Sequence, residues 1–175
     1  DGGVEWCVEK SRGLKLAGSF VPVIGAAVIF DITGPDNPRP GPVAGRLACD
    51  AANNLDPTSK SIGVGRGCTV GKAAGRAHGR PGGQGIGVVQ SGELTVGAIV
   101  AVNSFGDVLN TDGSVMAGSS APPEAPRYPY VPIEEISAWE AGEEKANTTI
   151  GCIVTNARLT KPEACRVADL AHTGI

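Results

Sequence analysis

Glycine fills 26 of the 175 positions, while Phe, Tyr and Trp fill only 3, 2 and 2. A core without aromatic bulk closes by bringing backbones together, and glycine is the residue that permits this. The chain is therefore restricted to closely packed layers of small and β-branched residues. With 41% hydrophobic and 19% charged residues it has enough Val, Ile, Leu and Ala to bury such a core, which argues against disorder. Its length suits one domain or part of one. The longest strongly apolar run, Phe20 to Phe30, is 11 residues and contains Pro22 and Gly25. That is well short of the roughly 20 needed to cross a bilayer, so no membrane partner is expected. The net charge of −3 gives no reason to expect a nucleic-acid partner.

Five cysteines, with no C-x-x-C pair, make neither a disulfide framework nor a zinc knuckle. A reducing, cytoplasmic setting fits them, and no charged n-region followed by an apolar h-region opens the chain. Along the sequence, Asp1 to Leu16 reads as a helix and Phe20 to Asp31 as a buried strand interrupted early by Pro22. Gly34 to Pro42 reads as a loop, and Val43 to Asn53 as a small-residue helix. Pro57 to Gly92 is basic, rich in glycine and free of Asp and Glu. Leu94 to Val102 is the clearest β segment. Ser119 to Asn147, with five prolines and six glutamates, reads as an exposed linker with a weak helical patch near Ile133 to Ala141. Thr149 to Thr155 is a β run, and Thr160-Lys161-Pro162-Glu163 is a capping box that opens an amphipathic helix. This order predicts an α/β or α+β layering, with residues 1–175 as part of a single domain.

Most motif readings fail on spacing. Gly63-Val64-Gly65-Arg66-Gly67 and Gly71-Lys72 suggest a phosphate loop, but Arg66 and Ala73 occupy positions that need Gly and Ser or Thr. The dinucleotide pattern fails at Cys68. Tight turns and close backbone approach account for these glycines better, and no cofactor is expected. The basic stretch lacks any aromatic on which a base could stack. His78 and His172 have no Cys or carboxylate at ligand spacing, so no metal is expected and a Ser/His/Asp triad is disfavoured.

At Asn147-Thr148-Thr149 the acidic linker stops and a β run begins. Three readings compete there: an N-x-T glycosylation acceptor, a polar strand start, and a self-cleaving junction. In the third, the Thr148 hydroxyl attacks its own preceding carbonyl, and hydrolysis of the ester leaves Thr148 as a new N-terminus. An α-amine with an ordinary pKa of about 7.7 to 8.0 then serves as base for its own hydroxyl.

The string NTTIGCIVTNARLTKPEACRVADLAHTGI resembles the junction and following strand and helix of the P1 (DmpA-like) peptidases, family S58. This family includes aminopeptidase/D-esterases and nylon-oligomer hydrolases. VPVIGAAVIFD, VGRGCTVGK and VGAIVAVNSFGDV resemble other blocks of the family in the same order. The resemblance implies an αββα sandwich like that of N-terminal nucleophile hydrolases, in DmpA-like topology, made as a precursor that is cut in two. It implies Thr148 as nucleophile, Asn147 as the residue whose carbonyl is cut, Lys72 as the site lysine, and Asn103 as an oxyanion-stabilising amide. Phe30 stands at a substrate-binding position where relatives often carry tyrosine. Relatives begin upstream of Asp1 and continue beyond Ile175, where paired acidic or polar residues orient the nucleophile. By that comparison this stretch holds the nucleophile, lysine and asparagine without the whole site.

The function so implied is a self-processing, aminopeptidase-like amide-bond hydrolase acting on a small peptide or amide, and a homo-oligomer of four or more subunits. Acyl transfer, as in the fold-related ornithine acetyltransferases, and a non-catalytic binding or structural role are the alternatives.

Overall fold

A computed structural model describes residues 1–32, 39–53, 60–128, 130–135 and 147–175. It combines helices with antiparallel β-sheets, and its residues divide into two compact units.

The first unit comprises Asp1–Val28 and Ile32–Pro57. Helix α1 (Gly2–Glu9) packs on helix α2 (Pro42–Ala51). The helices approach closely because Gly2 is buried against the Pro42 carbonyl, where a Cβ would overlap it. Trp6 Nε1 donates to Asp50 Oδ1 at 2.7 Å, and the Arg46 guanidinium pairs with the Glu9 carboxylate. The helix expected over Asp1 to Leu16 stops early. Ser11 and Gly13 take positive φ, and the chain turns into strand β1 (Leu14–Leu16), paired with β2 (Ser19–Val21). Ala17 and Gly18, both at positive φ, form a two-residue hairpin turn that follows strand twist.

The buried strand expected over Phe20 to Asp31 is likewise reduced to β2. Pro22 has no N–H for a ladder, and Val23 and Val28 are each 84% exposed. Pro42, expected in a loop, lies in the first turn of α2, where a missing N–H costs nothing. The rest of that expected loop, apart from Arg39, Pro40 and Gly41, lies outside the described residues.

The second unit comprises Ile29–Asp31 and Thr58–Ile175. Its main sheet has the order β5 (Gly83–Ser91), β6 (Leu94–Asn103) and β9 (Thr148–Thr155), with both pairings antiparallel. Strand β6 is central, paired along both of its edges. Against the sheet lie β3 (Thr69–Val70), paired with β4 (Arg80–Pro81), and a 3-10 turn at Gly63–Gly65, while β7 (Val108–Leu109) pairs with β8 (Val115–Ala117). Gly65 is buried against the backbone of Gly83 and Gln84, where no Cβ fits. Gly65, Gly71 and Gly82 of the basic stretch thus serve close approach. Helix α3 (Lys161–Ala171) follows β9 and has the expected capping box, with Thr160 N donating to Glu163 Oε2 at 2.7 Å. The Thr160 hydroxyl, and after it this backbone N–H, holds the Glu163 carboxyl below its ordinary range.

Strand β5 lies inside the basic stretch, where no strand was expected, because alternating glycines hide its pattern. Of the expected linker, Ser119 to Tyr128 is bonded to the loop after β6, Ile133–Glu135 forms a 3-10 turn, and 136–146 lies outside the described residues. The core of this unit is made of small residues: Cys68, Val70, Ala73, Ala101 and Ala121 are buried, together with Lys72 and Asn103. Among the described residues no helix is long and apolar enough to cross a membrane.

Candidate active site

Burial deepens toward the C-terminal end of β6, where Asn103 is 1% exposed. Its side chain is held on both sides. Oδ1 accepts from the Thr69 backbone N–H at 3.0 Å and lies 3.0 Å from Lys72 Nζ, while Nδ2 donates to the Phe30 carbonyl at 2.9 Å. Reversing the amide would set an NH2 group against the Thr69 N–H and the Lys72 amine, so chemistry fixes the orientation.

Lys72 is 6% exposed and reaches Asn103 from the loop that follows β3. Its backbone N–H donates to the Phe105 carbonyl at 2.7 Å. Burial pushes its pKa down from 10.5 to about 8, the positive charge of Arg76 pushes the same way, and the Cys68 thiol opposes both. A lysine poised there accepts a proton near neutral pH, as a general base must. Burial, with the negative charge of Asp31, pushes the Cys68 thiol up and keeps it protonated; Lys72 works against this shift. Such a thiol is a packing group rather than a nucleophile.

Thr148 is the first residue of β9, and the β6–β9 register sets it directly across from Asn103. It is half-buried, as is Asn147 just before it. The β6–β9 ladder thus sets Asn103 and Thr148 opposite each other, and Lys72, from the loop after β3, reaches Asn103 through its side chain. Phe30 joins them through its carbonyl, whereas its side chain is 42% exposed. The sequence reading missed Thr69, although it lies within the VGRGCTVGK block; a backbone donor leaves no compositional signal. His78 offers its carbonyl to Ser120, and the His172 ring lies by the Asp169 carbonyl. Among the described residues no group of three His, Cys, Asp or Glu side chains is arranged to hold a metal.

A sequence model described as Peptidase family S58 matches residues 1–175. The chain belongs to peptidase family S58. This S58 chain is 37% identical, over its whole length, to a Mycobacterium leprae protein named an uncharacterized aminopeptidase, of which it covers 49%. A protein of the same description from Mycobacterium tuberculosis is 35% identical over the whole chain, which covers 51% of it. A 6-aminohexanoate-oligomer endohydrolase from an Agromyces species is 27% identical over 87% of this S58 chain and 44% of the relative. The chain thus spans about half the length of the curated relatives it matches.

Proposed function

We propose that the full-length protein is a self-processing amide-bond hydrolase, aminopeptidase-like, whose nucleophile is an N-terminal threonine generated by cleavage between Asn147 and Thr148. The supporting observation is the register pair Asn103 and Thr148, with Lys72 Nζ 3.0 Å from the Asn103 amide oxygen.

Before the cut Thr148 has no free α-amine, so another group must take up its hydroxyl proton. Lys72, with a pKa near 8, is suited to that role. The hydroxyl oxygen attacks the Asn147 carbonyl carbon, the C–N bond breaks, and the proton is delivered to the departing Thr148 nitrogen. Water then hydrolyses the ester, leaving a carboxylate on Asn147 and a free amine on Thr148. In the second reaction that amine deprotonates its own hydroxyl, and a substrate amide is opened through an acyl-Thr148 intermediate. Asn103 is the proposed donor to the oxyanion, a role typically worth a factor of about 10² to 10³ in rate. The proposed substrate is a small peptide or amide, as the names of the relatives suggest. The proposed frame is an αββα sandwich, of which β5, β6, β9 and α3 supply part.

Intact mass under denaturing conditions, on the full-length protein beside Thr148→Ala, tests this. Two pieces from the wild type, the second starting at Thr148, and one from the variant are expected. A folded wild type that stays whole overturns the reading.

A further inference from the structure

The loop after Asn103 is fastened by an ion pair that the proposed chemistry does not use. Asp107, its side chain 2% exposed, accepts from Arg127 Nη1 at 3.1 Å and from the Ser119 backbone N–H at 2.9 Å. Arg127 Nη2 donates to the Ala121 carbonyl at 3.1 Å, and the Asp107 N–H donates to the Tyr128 carbonyl at 3.2 Å. The clasp therefore ties residues 119–128 to the loop 105–107.

The same loop holds Lys72 from behind. The Phe105 carbonyl accepts from the Lys72 N–H at 2.7 Å, and the Gly106 carbonyl from the Gly71 N–H at 2.9 Å. Gly71, at φ +70°, lies so close to the backbone of Gly118 and Ser119 that no Cβ fits between them. Gly118 lies equally close to the Asp107 carboxylate. Lys72 is thus held at two points, by its backbone on the 105–106 carbonyls and by its amine on Asn103.

We propose that Asp107 and Arg127 are positioning residues of the active site: their ion pair fixes the Phe105 and Gly106 carbonyls against the Gly71–Lys72 backbone and so holds the Lys72 amine on Asn103. This rests on the reading of Lys72 given above. Neither residue touches the reacting atoms. The physical reason for an ion pair here is that a buried carboxylate without its partner is strongly unfavourable. With Arg127 removed, Asp107 seeks water and takes with it the loop that carries both carbonyls.

The test uses the full-length protein with Arg127→Met, Arg127→Lys, and the double variant Arg127→Met with Asp107→Asn. Two quantities are read: turnover of an amide substrate, and the pH midpoint at which Lys72 reacts with an amine-selective anhydride, located by peptide mass. For Arg127→Met, kcat is expected to fall more than tenfold with KM within about threefold, and the Lys72 midpoint to rise toward that of an ordinary lysine. Arg127→Lys is expected to retain part of both, and the neutral double variant to recover more than Arg127→Met alone. If Arg127→Met does not fold, the other two variants decide. Folded variants whose Lys72 midpoint and kcat match the wild type overturn the proposal. The labelling midpoint needs no turnover, so an uncut, inactive wild type overturns the hydrolase reading while the clasp is still tested.

Discussion

Lys72 is under opposed influences: burial, with the positive charge of Arg76, favours loss of its proton, while Cys68 favours keeping it. Burial wins, and the consequences have a definite sign. The folded chain sheds this proton near pH 8, whereas the unfolded chain keeps it to about 10.5. Between those values the unfolded state binds more protons, so raising the pH through this window stabilises the native state. Denaturant midpoints at pH 7.5 and 10 are expected to show a larger gain for the wild type than for Lys72→Met. Processing of the full-length protein is expected to speed up with an apparent midpoint near 8, and to stop in Lys72→Met, as followed by intact mass against time. None of this was legible from spacing. Lys72 and Asn103 carry no local signature and resemblance alone singled them out, whereas the junction at Thr148 offered self-cleavage as one of three readings and resemblance chose among them. What joins the three residues is the β6–β9 register and the Lys72–Asn103 hydrogen bond, which a linear reading does not contain.

Among the elements, those with strong local signals were legible: the apolar run of β6, the β run that became β9, and the box that opens α3. In that box the Thr160 hydroxyl and backbone both engage Glu163, so Thr160→Ala is expected to cost about 1 kcal/mol in a denaturant titration. The elements misread are those where a single residue overrides a pattern. Gly13 turned an apparent helix into a hairpin, Pro22 ended an apparent strand, and alternating glycines concealed β5. At Gly65, by contrast, glycine is required, since the backbone of Gly83 and Gln84 occupies the space a side chain would need. Gly65→Ala is expected to lower stability by about 1 to 3 kcal/mol, the usual range for overpacking, with the effect read as a shift of the thermal midpoint.

For the molecule as a whole, eight register pairs join β6 to β9, running from Val96 with Thr155 to Asn103 with Thr148. The proposed cut falls just before this ladder and removes none of it. The two pieces are therefore expected to elute together in size exclusion and to separate only in denaturant. Folding would then change its molecularity. As one chain, β9 meets β6 at the high effective concentration that a covalent tether provides, whereas after the cut the same pairing requires an encounter between separate molecules. Refolding of the processed protein is expected to slow on dilution, while Thr148→Ala refolds at a rate independent of concentration. A protein built this way assembles its sheet once, as a tethered precursor, and afterwards its persistence depends on how slowly it unfolds.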